Sequence, residues 1–244
     1  MEVLTQIVLA TLAGGALSVL VASTIAFGLL QCWVSRLVSF AVGIMLGTAL
    51  LDLLPEAVAA GLSIERAGAV ILVGLLLFFV LEKLVLWHHH YTANHGGITI
   101  KPAGPMVLVG DGVHNFVDGV LTAAAFLQDT RLGIATAIAV IAHEIPQEVG
   151  DFMVLLDSGF TRRQALALNL LSSLASLIGG VLGYFVLHDA SAMIPYALAL
   201  AAASFIYIAL VDLVPELHRG HAISVAPTQL ALIVAGIGAM ALGH

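Results

Sequence analysis

Long apolar runs recur along this chain and restrict it to structures that a lipid bilayer accepts. Of its 244 residues, 61% are hydrophobic and 9% are charged, whereas soluble domains carry about 25% charged residues. The runs reach the roughly 20 residues that one helix needs to cross a bilayer, and they lack the short alternation of barrel strands. Because lipid offers the backbone no hydrogen-bond partner, such runs must form helices. The composition therefore predicts an all-α polytopic membrane protein and excludes a soluble one.

Glycine, proline and charged residues divide the apolar sequence into eight predicted transmembrane helices. These are 4–30, 37–57, 67–87, 105–127, 132–156, 163–187, 191–214 and 225–243. Residues 1–244 are expected to form one transmembrane domain. The longest connection, 88–104, is predicted to be a loop that can collect metal ions, although a merely solvated loop is the alternative. Its histidines are His88, His89, His90 and His95.

The basic residues orient the predicted helices in the membrane. With eight crossings, six of the eight Lys and Arg residues fall on one side, and only Arg66 and Arg131 fall on the other. Cytoplasmic loops carry the excess of basic residues, so both termini are predicted outside and the 88–104 loop in the cytosol. No basic residue precedes Arg36, so the first helix is expected to be retained. These features predict an integral protein of the plasma membrane (the cell inner membrane), with no nucleic-acid partner.

A short motif occurs twice, near opposite ends of the chain. Residues 51–56 end the second predicted helix and residues 211–216 end the seventh, and both read Asp-Leu-x-Pro-Glu after one apolar residue. Five crossings separate the copies, so they are predicted at opposite faces of the membrane. This pattern predicts an inverted repeat of helices 1–3 and 6–8 in a 3+2+3 arrangement, a common transporter plan. A chance match in leucine-rich sequence is the alternative.

Two adjacent predicted helices carry metal-binding side chains where a membrane helix usually has none. An ionisable residue at bilayer depth costs about 2.5–3.5 kcal/mol on insertion scales, so such residues indicate function. On a helix, residues three, four and seven apart share a face. The predicted stripes are Asp111, His114, Asn115 and Asp118 in the fourth helix, and His143, Gln147 and Asp151 in the fifth, with Glu144 and Glu148 on its flank.

These donors predict a site for a divalent metal ion between the fourth and fifth helices. Imidazole suits Zn, Cu, Fe and Ni, and carboxylate and amide oxygens extend the range toward Mn. Without thiolate, the site should bind moderately and release its ion, as a carrier requires. Pro146 should kink the fifth helix and free the carbonyl of Ala142. For isolated polar residues, ordinary interhelical hydrogen bonding is the alternative. Such residues in the sixth helix are Asn169, Ser172 and Ser173.

Two other functions are compatible with a metal site in the membrane. In an intramembrane metal-dependent hydrolase, Glu144 would act as general base toward a metal-bound water. The tract 143–147 is one residue short of the His-Glu-x-x-His zinc-protease motif, because Gln147 replaces the second histidine. We therefore expect no enzyme. In a non-transporting metal sensor, the loop histidines would bind metal and the membrane site would be structural.

At these residues the chain resembles the ZIP family (Zrt-, Irt-like proteins) of divalent-metal transporters. The tract 143–148, His-Glu-Ile-Pro-Gln-Glu, is similar to the His-Glu-x-Pro-His-Glu motif of one branch, and 111–119 is similar to its partner motif. The resemblance covers nearly the whole chain, including the eight helices, the outside termini and the loop with histidines.

The resemblance implies a two-metal centre in the middle of the membrane, bridged by Asp118. The implied ligands are His114, Asp118, His143 and Gln147 for one metal, and Asn115, Asp118, Glu144 and Asn169 for the other. Gln147 departs from the usual histidine of the branch, and its neutral amide is the weaker ligand. The family also implies movement of Zn²⁺ into the cytosol, with Fe²⁺, Mn²⁺ or Cd²⁺ as other substrates.

The same resemblance implies a mechanism and an assembly. One bundle of helices would slide against another and expose the site to each side in turn, often in a homodimer. Acidic residues would line the entrance and the exit. They are Asp52 and Glu56 near the outer face and Asp212 and Glu216 near the cytosolic face, and Asp111, Glu148 and Asp151 are predicted to belong to the same entrance and exit path.

Overall fold

The structure, a computed structural model, describes residues 2–24, 34–92, 103–218 and 225–242. Within these ranges, a few residues are described by their backbone alone. They are 34, 35, 82, 84–92, 103, 106, 212 and 216. The described ranges contain helices and short turns and no strand, which confirms the all-α fold class.

Eight continuous helices form, which we number α1 to α8 in chain order. Their bounds are Glu2–Thr24 for α1, Val34–Gly47, Thr48–Leu53 and Leu54–Ala59 for α2, Ile64–Thr92 for α3, Ala103–Gln128 for α4, Thr130–Asp157 for α5, Arg162–Asp189 for α6, Ser191–Met193, Ile194–Tyr207, Ile208–Leu213 and Val214–His218 for α7, and Ala226–Ala241 for α8. In the described ranges their order and number agree with the prediction from the apolar runs.

Five of these helices contain stretches long and apolar enough to cross a membrane: Glu2–Thr24, Arg36–Ala59, Ile64–Leu81, Arg162–Asp189 and Ser191–Val211. Helix α8 is apolar but shorter. The other two, α4 and α5, carry the predicted metal ligands, whose acidic and histidine side chains lower the mean hydropathy. The two long helices with the lower mean hydropathy are thus the ones with the unusual chemistry.

Helix α3 extends beyond its predicted end at residue 87. It continues to Thr92, so the backbone at His88, His89 and His90 belongs to the helix and not to a loop. The predicted boundary was wrong because a terminal turn of polar residues has no apolar periodicity to mark it. His95 lies outside the described residues.

Glycines allow two pairs of helices to pack with their backbones in close approach. A β-carbon added to Gly119 of α4 would overlap the carbonyl oxygen of Ser176 in α6, and Gly179 of α6 lies equally close to the backbone of α4. Gly43 of α2 lies in the same way against the carbonyl of Ile233 in α8. Helix α1 packs on α4, α5 and α6, and α3 packs on α7. The helices therefore form two groups, α1-α4-α5-α6 and α2-α3-α7-α8.

Contacts at the two ends show how the helices alternate in direction. At one end, Gln128 Nε2 at the end of α4 donates to Glu56 Oε1 near the end of α2, over 2.8 Å. At the same end, Thr130 at the start of α5 lies beside Gln6 at the start of α1. At the other end, the beginning of α4 packs against Phe160 in the turn between α5 and α6. This up-and-down arrangement places the middle of α4 and α5 at the centre of the bundle.

Candidate metal centre

Helices α4 and α5 form a tight antiparallel hairpin that brings their polar stripes to the same depth. The turn between them is the single residue Asp129, whose carboxylate accepts hydrogen bonds from the backbone N–H groups of Arg131 and Leu132 at 2.8 and 3.3 Å. This is an ordinary N-cap, which fixes the start of α5. At 1.5 Å per residue, Asp118 and His143 lie about 16 and 21 Å from the turn. They are therefore within one helical turn of each other in depth.

Four ligand atoms at this depth are spaced as they would be around one ion. His114 Nε2 lies 3.2 Å from His143 Nε2, 3.4 Å from Glu144 Oε1 and 3.7 Å from Asp118 Oδ2. His143 Nε2 lies 2.9 Å from Asp118 Oδ2 and 3.7 Å from Glu144 Oε1. With metal–ligand bonds of about 2.0–2.2 Å, neighbouring ligands in a tetrahedron lie about 3.3–3.6 Å apart. The geometry therefore suits a tetrahedral divalent ion, and we call these four residues the histidine centre.

A backbone contact prepares His143 to bind metal. Its Nδ1 lies 2.9 Å from the carbonyl oxygen of Ala139, one helical turn earlier in α5. A carbonyl can only accept, so Nδ1 carries the proton and Nε2 presents a lone pair. Metal-binding histidines almost always donate their other ring N–H in this way. The ring of His143 also meets Phe205 of α7 edge-on, with centroids 5.9 Å apart, which limits its rotation.

Two buried carboxylates near this point have no hydrogen-bond partner among the described residues. Glu144 and Glu148 are 0% exposed. Among the described residues, neither oxygen of either side chain accepts a hydrogen bond. An ionised carboxylate removed from water without a partner costs many kcal/mol, and a bound cation would offset this cost.

A second set of oxygens lies next to the histidine centre. Ligand atoms of Asp111, Glu144 and Glu148 all lie within 4.8 Å of one another. Asp111 is held in place by Asn115 Nδ2, which donates to Oδ1 over 2.8 Å, and by Ser172 Oγ, which donates to Oδ2 over 2.5 Å. We call Asp111, Glu144 and Glu148 the carboxylate group. Glu144 is common to both sets.

The structure brings most of the predicted ligands together, but the burial of the α5 side chains differs from the prediction. Glu144 and Glu148, predicted on the flank of α5, are the most deeply buried acids, because α5 is covered by α1 and α2 as well as by α4. Gln147 is only half-buried. Asn115 is engaged with Asp111, and Asn169 is buried with both side-chain amide atoms unpartnered in the described part of the chain. The implied division of ligands between two metals stays a prediction.

The residues predicted at the entrance and exit lie in three places. Asp52 is nearly buried in the second part of α2, Glu56 is bonded to Gln128, and Asp151 is nearly buried one turn beyond Glu148. The backbone at 212 and 216 is in α7, but those two side chains are outside the described part. Their roles on a path through the membrane stay predictions.

Ser172 was predicted either to bind metal or to make an ordinary interhelical hydrogen bond, and the structure shows such a bond, from its Oγ to Asp111 of α4. One further contributor was not predicted. The carbonyl of Ala139 carries no signal in its side chain. Only the rule that a metal-binding histidine needs a second partner, applied four residues back along the helix, points to it.

This combination of a helical bundle and a histidine–carboxylate centre matches a known family. The family model described as ZIP Zinc transporter matches residues 3–104 and 90–243, nearly the whole chain. The chain belongs to the ZIP zinc transporter family. Its members are integral membrane transporters, and the apolar helices of this chain are therefore transmembrane helices. The branch within the family stays a prediction from the motif.

Individual relatives agree with this assignment. The chain is 43% identical to human zinc transporter ZIP10 over 144 residues, which is 55% of this chain and 17% of that protein. It is 35% identical to zinc transporter foi of Drosophila melanogaster over 170 residues, 65% of this chain and 24% of that protein. It is 34% identical to zinc transporter ZIP13 of Pongo abelii over 223 residues, 85% of this chain and 66% of that protein. The chain thus spans less than two-thirds of the length of these curated relatives.

Proposed function

We propose that this protein carries divalent metal ions, first of all Zn²⁺, across the membrane, and that the ion binds at the histidine centre on the way. The observation that carries the proposal is the near-tetrahedral spacing of two imidazole nitrogens and two carboxylate oxygens at the middle of α4 and α5. Zinc prefers four such donors, and a set without cysteine thiolate releases its ion more readily than a structural zinc site. The similarity to proteins named zinc transporters supports the same substrate.

Fe²⁺, Mn²⁺ and Cd²⁺ are the other substrates we propose to test. Imidazole binds Fe²⁺ well, and carboxylate oxygen extends the range to Mn²⁺. At position 147 the motif of the branch has histidine and this chain has Gln147, so the centre offers two imidazoles and not three. We infer that this centre discriminates among these ions less strongly than a centre with three imidazoles.

We infer that the ion passes the centre by relative movement of the two helix groups. Within each group, glycine contacts lock neighbouring backbones together, as at Gly119 and Gly43. Between the groups, α4 packs on α7 and α5 packs on α2, and α7 has buried alanines at 199 and 201–203. Short side chains form a smooth surface with few interdigitating contacts. Such an interface permits sliding at lower cost than one made of large side chains.

The repeated motif supports an inverted repeat, which would place similar gates at both faces. Thr48–Leu53 and Ile208–Leu213 are each wound as a π-helix, and each ends two residues before the proline of its motif. A wider turn relieves the clash between a proline ring and the carbonyl four residues earlier. The match therefore extends from residue type to backbone form. We propose the 3+2+3 arrangement of eight crossings on this basis, with Asp52 at one gate and Asp212 at the other.

We also propose how the protein is oriented, which membrane contains it and how it assembles. The distribution of basic residues supports outside termini, uptake toward the cytosol and a plasma-membrane location. A homodimer is proposed from the family resemblance. Helix α3 offers the widest apolar exposure, with Leu72, Val73 and Leu76 each about two-thirds exposed, and it faces lipid or a second copy.

The hydrolase and sensor alternatives have less support. As a general base, Glu144 would have to stand apart from the ligands, yet its Oε1 lies 3.4 Å from His114 Nε2 among them. A sensor needs a site that holds its ion, whereas the family to which the chain belongs transports. We keep both as outcomes of the experiment below.

The deciding experiment is metal flux into liposomes that contain the purified protein. Zn²⁺, Fe²⁺, Mn²⁺ and Cd²⁺ are supplied separately to wild type, to Asp118→Ala and to a matched control, Asp189→Ala, whose carboxylate is exposed at the end of α6. Saturable flux in wild type and control, absent in Asp118→Ala, supports the carrier. Tight metal binding without flux supports a sensor, and cleavage of a model membrane peptide supports a hydrolase.

A further inference from the structure

We propose that Phe205 of α7 is a positioning residue for His143 and that it makes the zinc affinity of the histidine centre depend on how the two helix groups are placed. In the arrangement seen here, the phenyl ring holds the imidazole where its Nε2 faces the other ligands. When the groups slide past each other, that support is lost and the centre binds zinc more weakly. The inference rests on the proposed function for the movement of the groups.

All four ligands of the histidine centre come from one helix group. His114 and Asp118 lie in α4, and His143 and Glu144 lie in α5. A movement of this group as a unit therefore leaves the spacing of the ligand atoms unchanged. An ion favours one arrangement of a protein over another only through a difference in its affinity for the two. A side chain of the other group that contacts a ligand can supply this difference.

Phe205 of α7 makes such a contact. Its ring lies edge-on to the ring of His143, with the centroids 5.9 Å apart and the planes inclined at 62°. Aromatic rings prefer tilted arrangements with centroids about 4.5–7 Å apart. Both side chains are 0% exposed, so neither ring can turn into solvent. The contact therefore joins the two helix groups at a ligand of the metal.

His143 needs a contact of this kind to keep its orientation. The torsion that turns an imidazole about its Cβ–Cγ bond has broad minima. The hydrogen bond from Nδ1 to the carbonyl oxygen of Ala139, over 2.9 Å, fixes one point of the ring and lets the ring pivot about that point. Phe205 blocks this pivot from the side of α7. The ring of His114 lies edge-on to His143 in turn, with centroids 5.3 Å apart, so Phe205 acts on His114 through His143.

The neighbours of Phe205 on α7 make the contact dependent on the position of that helix. The residues four before and four after it, Ala201 and Ala209, share its face and are fully buried. One packed element can shift past another by a full helical turn, about 5.4 Å. A slide of that size in either direction brings an alanine to the level of His143, and its methyl group is too short to hold the imidazole. Phe205 therefore supports His143 in one arrangement and not in the others.

The first test is the zinc affinity of the purified full chain in detergent, measured by competition with a chromophoric chelator. Phe205→Leu keeps an apolar side chain and removes the ring, and it should weaken zinc binding about three- to tenfold. Phe205→Tyr keeps the ring and should bind as wild type does. Phe126→Leu makes the same change as Phe205→Leu in a separate buried cluster near the turn between α4 and α5. It should also bind as wild type does.

Uptake kinetics separate positioning from a general defect of the fold. In liposomes, Phe205→Leu should raise the zinc concentration at half-maximal flux by the same factor by which it weakens binding. The maximal rate should be at least that of wild type, because a weaker site releases its ion more readily. A lower maximal rate with unchanged half-saturation would show a structural role and would overturn the inference.

Spin labels test whether Phe205 links affinity to the arrangement of the groups. In a chain whose single cysteine is replaced, Cys32→Ser, labels are attached through Arg163→Cys and Ile64→Cys. Both positions are exposed, one at the start of α6 and the other at the start of α3. They belong to different groups and lie at opposite ends of the bundle, so a slide changes the distance between the labels. Pulsed electron paramagnetic resonance measures that distance. Zinc should shift its distribution in wild type and shift it less in Phe205→Leu.

The outcomes support or overturn the inference as follows. Weaker binding in Phe205→Leu than in Phe205→Tyr and Phe126→Leu, with a smaller zinc-dependent shift in distance, supports it. Phe205→Met serves as the second ring-free variant if Phe205→Leu fails to fold. Wild-type affinity in the ring-free variants, or an equal shift in wild type and Phe205→Leu, overturns it. Absence of flux in wild type would overturn the proposed transport instead, and the affinities in detergent would still decide the role of Phe205.

Discussion

Glu56 and Glu144 are both glutamates in apolar helices, yet the protein surrounds them differently. Glu56, near the end of α2, accepts a hydrogen bond from Gln128 of α4 over 2.8 Å. Glu144, in the middle of α5, is fully buried, and both its oxygens lack a hydrogen-bond donor among the described residues. Its neighbours are two histidines and three acids. The first glutamate has a hydrogen-bond partner within the protein, the second has none among the described residues, and we propose that a bound ion takes that place.

This difference separates two kinds of acid that look alike in the sequence. A partnered acid at the end of a helix ties one helix group to the other, because Gln128 and Glu56 belong to different groups. We propose that an unpartnered acid at the centre binds the substrate. The first kind should therefore affect the rate of movement, and the second should decide whether transport occurs at all.

The largest effect is expected from Asp118→Ala. Asp118 Oδ2 lies 2.9 Å from His143 Nε2, so the substitution removes a ligand from the centre of the site. Zinc flux should fall to the background of empty liposomes, while thermal stability is kept because a buried charge without a bound ion is itself destabilising. Residual saturable flux would contradict the position of Asp118 in the centre. A loss of folding in size-exclusion chromatography would show that Asp118 has a structural role instead.

His143→Ala should have the next largest effect. It removes one imidazole from a tetrahedral set. Loss of a residue that only supports a metal ligand weakens binding by about 10–100-fold, so loss of a ligand itself should weaken zinc binding by about 100-fold. Isothermal titration calorimetry of the purified variant measures this change. The matched control is His188→Ala, because His188 stacks on Tyr184 near the end of α6, away from the site. Equal binding by both variants would disprove the role given to His143.

Gln147→His should act in the opposite direction and tighten zinc binding by roughly tenfold, about 1.4 kcal/mol, because imidazole is a stronger zinc ligand than an amide oxygen. The side chain is half-buried one turn after His143. It can reach the histidine centre only if it points toward that centre from α5. Competition with a chromophoric chelator measures the affinity. Gln6→His, near the N-terminal end of α1, is the control. Unchanged affinity would leave His114, Asp118, His143 and Glu144 as the complete set.

Gln128→Ala is expected to change the rate of flux by a few fold without abolishing it. The substitution removes the hydrogen bond to Glu56 that joins the two helix groups at one end. A hydrogen bond to a charged group contributes about 1.5–3 kcal/mol, which is reduced at a partly exposed position. Initial rates of zinc uptake at saturating zinc measure the effect, with zinc affinity as the control quantity. A change in zinc affinity with an unchanged rate would show that Gln128 acts on metal binding and not on the contact between the two helix groups.

The smallest effect is expected from the region after α3. Deleting 88–95 should alter the rate or regulation of transport and leave it detectable, because none of those residues is part of the histidine centre. Replacing the four histidines in 88–95 by alanine is the matched variant, since it keeps the last turns of α3 intact. Complete loss of flux in the alanine variant would mean that essential ligands lie there. Loss in the deletion alone would point to the helix end.

The order and number of helices could be predicted because each apolar run is long enough to require a helix. The error at the end of α3 arose where polar residues continue the helix and no apolar period marks them. At the site, spacing identified His114, Asp118, His143 and Glu144 as candidates. It ranked Gln147 above Glu148, whereas the structure buries Glu148 fully and Gln147 by half. A helical wheel gives relative directions along one helix and cannot say which neighbours cover it.

The sequence by itself determined that this chain is a helical membrane protein, that α4 and α5 hold its chemistry, and that the chemistry is metal binding. Composition, the cost of burying ionisable groups in lipid and the preferences of donor atoms are local properties, so residues alone reveal them. Only the tertiary structure decided that Glu144 joins two ligand sets, that Ser172 of α6 holds Asp111, and that the carbonyl of Ala139 orients His143. These depend on distances between residues far apart in the chain or on the backbone itself, which side-chain patterns do not encode.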